Sequence, residues 1–266
     1  MPSSPWVLRA PLAATGELGR QTLGVMAGLG QATLFLLSAL RHAWRLPRRW
    51  RLFVEHLHFI GNRSLVIVAL TASFTGLVLA LQGYNALNRF GADQMLGALV
   101  ALSLTRELAP VLGALMVTAR AGSAMAATLG NMQVTEQIDA LRSMAIDPLD
   151  YLVAPRVLAG ILVVPLLTSV FTVIGLCVAQ MFVVGALGLD AGTFASSVQN
   201  ALEGSDIVEG LVKSLAFGLL IVWIACFRGC NATGGAKGVG QATTRAVVDT
   251  AVLILAVDYV LTALLF

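Results

Sequence analysis

The chain has 266 residues, of which 58% are hydrophobic and only 12% charged, and its mean hydropathy is +0.85. A typical soluble domain is about half apolar and about a quarter charged, so the composition excludes an ordinary soluble protein. The net charge of +3 does not indicate a nucleic-acid partner, because the basic residues lie at predicted membrane edges. Several segments reach the ~20 apolar residues that a transmembrane helix needs, and no alternating pattern typical of a β-barrel recurs. The predicted fold class is therefore an all-α integral membrane protein.

Residues 1–60 are predicted to lie along the membrane rather than to cross it. Residues 18–40 are apolar but interrupted by glycines and polar residues, and an arginine-rich stretch from Arg41 to Arg51 follows, with Trp44 and Trp50 interleaved. Arginines that reach headgroup phosphates, with tryptophans at the water boundary, favour an N-terminal interfacial helix on the cytoplasmic leaflet. A nucleic-acid-binding arm is the alternative, but a hydrophobic span follows almost at once. Residues 52–60 (LFVEHLHFI) are typical of a short amphipathic elbow helix.

The remaining residues, 61–266, form the predicted membrane-spanning domain. Its five predicted transmembrane helices cover residues 64–87, 95–119, 157–187, 207–227 and 246–266. Arg89 lies in a predicted outer loop, Arg106 and Lys213 lie within spans, and all other Lys and Arg residues lie on the side of the N-terminus. Because cytoplasmic loops are enriched in Lys and Arg, we expect a cytoplasmic N-terminus and a periplasmic C-terminus.

A short amphipathic helix is predicted at residues 134–144, within a cytoplasmic loop of residues 120–156. Its apolar positions are spaced i, i+4 and i+7 and its polar positions take the other face; the apolar ones are Val134, Ile138 and Leu141, and the polar ones Glu136, Gln137, Asp139 and Arg142. One interpretation is a helix lying on lipid. The excess of acidic residues, which an anionic leaflet would repel, favours a docking surface for a soluble partner.

Arg106, Glu107, Lys213 and Asp258 are ionisable residues that lie well inside the predicted spans. Each costs a few kcal/mol in the bilayer, which marks it for pairing or function. Arg106 and Glu107 are sequence neighbours that point about 100° apart on a helix, so each must meet another group. Lys213 and Asp258 lie at similar depths and are predicted to form a buried ion pair. Locking of the helices and direct contact with a substrate both remain open as roles for these charges.

No motif indicates catalysis or cofactor binding. The glycine-rich string GGAKGVG at residues 234–240 lacks the Walker pattern and is predicted to be a flexible cytoplasmic loop, so this chain is not expected to bind ATP. His56 and His58 have no carboxylate cluster beside them, so no metal site is expected. No nucleophile and base pair is evident. The chain is therefore predicted not to be an enzyme.

Eight strings in the chain resemble the MlaE (YrbE, or Mce-associated permease) family of lipid ABC transporters, in the same order and spacing. They are LQGYNAL (81–87), LVALSLTRELAPV (99–111), ARAGSAMAATLG (119–130), TEQIDALRSMAIDP (135–148), YLVAPRVLAG (151–160), VKSLAFG (212–218), GQATTRAVV (240–248) and VDYVLTALLF (257–266). The resemblance covers nearly all of the chain after about residue 60.

The resemblance implies a homodimeric permease subunit in the bacterial inner membrane, whose ATP and Mg are used by a separate ATPase subunit. It also implies a STAS-domain regulator and a periplasmic hexamer of MCE-domain subunits. The cargo implied is phospholipid, moved between the inner membrane and the periplasm or outer membrane to maintain outer-membrane lipid asymmetry.

The resemblance further implies roles for individual residues. The polar residues of the translocation region are Arg106, Glu107, Lys213 and Asp258; the residues that line a lipid cavity at the dimer interface are Leu79, Ala86, Leu87 and Phe90; and the residues of the coupling helix that seats in the ATPase are Glu136, Gln137, Ile138, Asp139 and Leu141.

Two other classes of membrane protein remain as alternatives. A secondary transporter would commonly show two matching halves, which five spans cannot provide. A membrane-embedded lipid-modifying enzyme would need an acidic metal cluster or an interfacial nucleophile, and the sequence shows neither.

Overall fold

The computed structural model describes residues 23, 27, 28, 30–41 and 50–265, and the part of the chain it describes contains helices and no strands. Five helical segments are long and apolar enough to cross a membrane: Trp50–Asn88, Asp93–Val134, Leu149–Gly185, Gly204–Cys230 and Gly235–Leu265. The predicted fold class, an all-α membrane protein with about five spans, is confirmed. Because the elbow helix runs into the first span with little interruption, the first segment begins earlier than predicted.

The helices are labelled in chain order. They are α1 (30–41), α2 (Trp50–Ile60), α3 (Asn62–Asn88), α4 (Leu96–Ser103), α5 (Ala109–Val117), α6 (Ser123–Val134), α7 (Gln137–Ser143), α8 (Ala154–Leu187), α9 (Ala191–Ala201), α10 (Gly204–Cys230) and α11 (Gly235–Leu265). Helices α4, α5 and α6 form the second span, and two π turns of five residues each join them, Leu104–Leu108 and Thr118–Gly122.

The N-terminal helices pack on the outside of the span bundle. Helix α1 lies against α10, where the indole Nε1 of Trp223 donates a hydrogen bond to the carbonyl oxygen of Ala32 at 2.7 Å. Helix α2 packs mainly on α8 and buries Phe53 and Ile60, as expected for the predicted elbow at 52–60. The arginine- and tryptophan-rich stretch at 42–49, predicted as the interfacial anchor, lies outside the described residues.

The predicted end of the second span and the loop after it were wrong. The helix predicted to end at residue 119 continues to Val134, so residues 120–134 of the supposed loop continue the span. Small side chains explain the difference, because they allow close helix packing in lipid. A methyl group on Gly229 of α10 would lie 2.8 Å from Cβ of Leu129 on α6, which shows how closely these two helices approach.

The glycine-rich string at 234–240 is not a flexible loop either. Gly234 and Gly235 adopt positive φ angles of 89° and 68°, which form the turn, and α11 begins at Gly235. Gly238 then lies against the backbone of Thr233 so closely that a Cβ atom would collide with it. The glycines therefore start a helix and allow a close chain approach instead of giving mobility.

The sequence did not predict α9, which follows the third span. Gly188 ends α8 with a φ of 70°, and the Asp190 carboxylate then accepts a hydrogen bond from the backbone N–H of Thr193 at 2.8 Å. This N-cap starts α9, and Phe194 on the apolar side of α9 is buried.

Glycines set the distance between the principal helices of the bundle. Helix α3 packs chiefly on α8, and α8 packs on α10. At the first contact, a Cβ atom on Gly76 would collide with the carbonyl oxygen of Gly175; at the second, a Cβ atom on Gly218 would lie 2.6 Å from the carbonyl oxygen of Gly160. These backbone contacts bring α3 and α10 close to α8, as small-residue interfaces do in membranes.

We expect Gly76→Ala to destabilise the protein by about 1–3 kcal/mol, because the added methyl group must push α3 away from backbone atoms that cannot rotate aside. The matched control is Gly185→Ala in α8, where the added methyl group meets nothing within 4 Å. Thermal unfolding of both variants in one detergent measures the difference. Equal midpoints for the two variants would contradict the close approach of α3 and α8.

Candidate functional site

A π turn in the second span carries the first two candidate residues, Arg106 and Glu107. The backbone N–H of Ala109 donates to the carbonyl oxygen of Leu104, five residues earlier, which defines the turn. Pro110 follows and has no N–H to donate to the carbonyl of Arg106, the acceptor four residues before it. The Nζ atom of Lys213 on α10 lies 3.1 Å from that oxygen and donates to it. The proline thus leaves the carbonyl oxygen of Arg106 free to accept a hydrogen bond from a side chain of another helix.

Lys213 also holds two carboxylates together. Its Nζ atom lies 2.7 Å from Glu107 Oε1 and 3.4 Å from Asp258 Oδ1 on α11. The predicted ion pair of Lys213 and Asp258 is present, but Glu107 is the nearer partner. Lys213 is only 1% exposed, while the side chain of Glu107 is 40% exposed. With both carboxylates ionised, this three-residue cluster carries one excess negative charge, which Glu107 presents at its edge.

Arg106 pairs with a residue that the sequence analysis missed. Its Nε atom donates to Asp206 Oδ1 at 2.7 Å, and Nη2 contacts the same oxygen. Asp206 is fully buried, and its Oδ2 accepts from the backbone N–H of Glu203 at 2.9 Å, as part of a capping box at the start of α10. The available signal was the acidic pair Glu203 and Asp206, spaced three residues apart before a long apolar run.

Helix α10 approaches the π turn closely enough to make both pairs possible. A Cβ atom on Gly210 would collide with the backbone carbonyl of Thr105, so the absence of a side chain at 210 permits the contact. Asp206 and Lys213, one helical turn before and one after Gly210, then reach Arg106 and Glu107 respectively. The buried members of each pair position the partly exposed ones, so a donor and an acceptor are presented side by side.

The predicted cavity residues on α3 fall in two places. Leu79 lines an apolar groove of about 460 Å³ together with Phe74, Val78, Gln82 and Leu108, among others. Leu108 directly follows Glu107 in the chain, but no residue of the ion-pair cluster lines the groove.

The other three residues lie beyond this groove, at the end of α3. Ala86 is exposed, Leu87 is half-buried, and Phe90 is 84% exposed just after the helix ends. The structure of this single chain therefore does not bring Ala86, Leu87 or Phe90 to the charged cluster.

The predicted coupling helix is shorter than expected. Helix α7 covers Gln137–Ser143, while Val134 is the last residue of α6. Non-glycine residues with positive φ stand at both ends of α7, Glu136 at 60° and Ala145 at 58°, and these sharp turns limit its length.

The two faces of α7 differ in exposure. Ile138 is buried in the chain's own core and Leu141 is half-buried. Glu136, Gln137 and Asp139 are exposed. The apolar face is therefore used within the chain, and the acidic face remains accessible.

The architecture is that of a multi-pass membrane protein with ion pairs at the contacts between its spans, which is the class expected of a transporter permease. A family model described as Permease MlaE matches residues 53–264. The chain is 41% identical over 250 residues to an intermembrane phospholipid transport system permease protein of Haemophilus influenzae, with 94% of this chain and 96% of the relative covered.

Two further relatives extend the comparison. A probable ABC transporter permease protein of Rickettsia bellii is 42% identical over 250 residues, covering 94% of this chain and 96% of the relative. The chloroplastic protein trigalactosyldiacylglycerol 1 of Arabidopsis thaliana is 38% identical over 237 residues, covering 89% of this chain and 66% of the relative. The chain belongs to the MlaE permease family and is a transporter permease rather than an enzyme.

Proposed function

We propose that this chain is the permease subunit of an ABC transporter that moves phospholipids between the inner membrane and the periplasm or outer membrane. This activity would maintain the lipid asymmetry of the outer membrane. The observation that carries the proposal is the apolar groove on α3, whose lining includes Leu108, the residue that follows the partly exposed Arg106 and Glu107 in the chain. Such a groove suits an acyl chain, and the adjacent donor and acceptor suit the polar part of a lipid. The phospholipid transport permease of Haemophilus influenzae supports this cargo, and the probable ABC transporter permease of Rickettsia bellii supports the transporter class.

The membrane placement we propose follows the distribution of basic residues. The N-terminus lies in the cytoplasm and the C-terminus in the periplasm, with the chain in the bacterial inner membrane. In this orientation α7 faces the cytoplasm, and the loop that contains Phe90 faces the periplasm.

A homodimer is supported by the apolar surface that the single chain leaves open. Large apolar side chains are exposed along α3 and α11, among them Phe74, Val78 and Tyr259. A second copy placed along α3 would cover the groove and bring Leu79, Ala86, Leu87 and Phe90 to one cavity.

The further subunits we propose follow from the family. ATP is hydrolysed by a separate ATPase subunit, a STAS-domain subunit binds to that ATPase, and an MCE-domain hexamer stands on the periplasmic side.

Glu107→Gln is expected to lower phospholipid transfer at least tenfold, because loss of one charge-assisted hydrogen bond costs about 1.5–3 kcal/mol. Transfer of a fluorescent phospholipid from proteoliposomes containing the complex to acceptor vesicles measures this. The ATPase should still copurify, since the substitution keeps the size of the side chain. The matched control is Asp249→Asn on α11, which should transfer lipid normally. Unchanged transfer by Glu107→Gln would remove Glu107 from the mechanism.

Charge reversal on α7 tests the proposed coupling surface. Glu136→Lys with Asp139→Lys should abolish lipid-stimulated ATP hydrolysis, because both carboxylates are exposed and would meet the ATPase. The fold should tolerate the change, since the ion pair of Asp139 with Arg142 is exposed and contributes less than about 1 kcal/mol. Lys237→Glu, an exposed reversal on α11, is the control. Normal copurification with full ATPase activity in the double variant would contradict a docking role for α7.

A further inference from the structure

A polar cavity lies in another part of the bundle from the ion-pair cluster. Its volume is about 270 Å³, and it is enclosed by α2, the start of α3, α6 and the start of α8. Its polar lining comprises Glu55, His56, His58, Arg63 and Arg156, and Met125 supplies apolar surface. None of these residues belongs to the ion-pair cluster or to the groove on α3.

The charges around this cavity lack opposite partners within the part of the chain that the structure describes. Arg156 is only 8% exposed, and its Nη1 atom donates to the carbonyl oxygen of Leu152. Among the described residues, no carboxylate lies within 4 Å of the guanidinium of Arg156 or Arg63, and no cation lies within 4 Å of the Glu55 carboxylate.

The other buried cation of this chain behaves differently. Lys213 has two carboxylates within 4 Å, as the cost of burying a charge requires. Glu55 lines the same cavity and attracts Arg156 from beyond 4 Å; an anion bound in the cavity would give Arg156 a counter-charge in direct contact. The carboxylate of Glu55 would at the same time attract a cationic group of the same ligand.

The size and the position of the cavity limit the kinds of ligand that it can bind. Its volume falls just below the ~300–1,000 Å³ typical of sites for drug-sized molecules, so it fits a headgroup and not whole acyl chains. The cavity also lies beside α2, on whose outer surface Trp50 and Val54 are exposed. Tryptophan and arginine on such a helix are typical of the headgroup level of a bilayer.

We propose that this cavity binds the headgroup of a zwitterionic aminophospholipid from the cytoplasmic leaflet. The phosphate lies between Arg63 and Arg156, and the ammonium lies at Glu55. The bound lipid holds α2 against α6 and α8, and its acyl chains run along the exposed apolar surface of the bundle. The choice of leaflet rests on the orientation in the proposed function, but the binding itself does not. A soluble phosphate compound is the other possible source of the same chemistry.

Native mass spectrometry of the complex in detergent tests the proposal. Phosphatidylethanolamine and phosphatidylglycerol with identical acyl chains are added in equal amounts, and lipid retained by the permease is counted. Phosphatidylethanolamine should be retained several-fold more strongly. Arg63→Gln should lower its retention about tenfold, because a charge-assisted contact to phosphate is lost. Glu55→Gln should abolish the preference for the amine. The control, Arg51→Gln, changes an exposed arginine of α2 that does not line the cavity.

Three results would overturn the proposal. They are equal retention of the two lipids, retention unchanged in both Arg63→Gln and Glu55→Gln, and displacement of the lipid by inorganic phosphate at equal concentration. The last result would identify a soluble anion as the ligand. Lipid transfer by the same variants is measured in parallel, so that loss of headgroup binding with normal transfer separates this proposal from the proposed function.

Discussion

Replacing Lys213 by methionine is expected to destabilise the protein by roughly 3–5 kcal/mol and to abolish lipid transfer. Removal of one partner from a buried ion pair leaves the opposite charges uncompensated, and here two carboxylates, Glu107 and Asp258, would face each other without a cation. Part of the cost is relieved because Glu107 is 40% exposed, so the lower end of the range is expected. Methionine keeps the length of the side chain, so a cavity contributes little. Thermal unfolding in detergent measures the loss.

A double-mutant cycle separates the ion-pair cluster from general damage. Glu107→Gln added to Lys213→Met should restore part of the stability, because the excess negative charge is removed, but transfer should stay lost. Coupling of about 0.5–3 kcal/mol is typical of residues in contact. The same cycle with Asp258→Asn should show weaker coupling, since the distance to Lys213 is 3.4 Å rather than 2.7 Å. Fully additive effects in both cycles would contradict a shared cluster.

Asp206→Asn is expected to have the next largest effect, a loss of about 3 kcal/mol together with impaired transfer. Asp206 is fully buried beside Arg106, and its neutralisation removes one member of this ion pair. Asparagine can still accept the hydrogen bond from Glu203, so the helix cap persists and the loss reports the ion pair. Transfer should fall because Arg106 is no longer held next to Glu107.

The control for Asp206→Asn is the same substitution at Asp249. Asp249 pairs with Arg228 between α10 and α11, where the two side chains are 35% and 38% exposed, and such pairs contribute less than about 1 kcal/mol. The expected order is therefore a large loss for Asp206→Asn and a small one for Asp249→Asn, with normal transfer in the second variant. Equal losses would show that burial of Asp206 does not matter.

The number of spans could be predicted because long apolar runs with few charges have no stable place in water. The ends of the spans could not be predicted, since small residues such as those after Ala119 are found in helices as readily as in loops. Helix α9 was missed for a similar reason. Its sequence is short and polar, and only the cap at Asp190 and the burial of Phe194 mark it as helical.

The candidate site was predicted in part. Comparison of depths along two helices was enough to pair Lys213 with Asp258, and the angle between neighbours was enough to show that Arg106 and Glu107 need separate partners. Those partners could be identified only from the π turn, which a single sequence does not predict. Pro110 is equally typical of the first turn of an ordinary helix. Asp206 was overlooked because an acid at the edge of an apolar run resembles a loop residue.

The short length of α7 also could not be predicted from the sequence. Positive φ angles are usually signalled by glycine, but Glu136 and Ala145 occupy them here. Tertiary packing of Ile138 outweighs the backbone preference of these residues. The periodicity of Val134, Ile138 and Leu141 therefore predicted one helix where the structure has the end of α6 and a separate α7.

The π turn at Leu104–Leu108 makes the effect of a deletion in this span depend on where the deletion falls. An ordinary helix advances about 100° per residue, and a π turn accommodates one residue more than an α-helical turn. Deleting a single residue there would let the backbone relax into regular α-helix with little rotation of α5 and α6 relative to α4, because the π turn already absorbs the extra residue. Deleting a residue from the regular helix of α4 or α5 would instead rotate everything after it by about 100°.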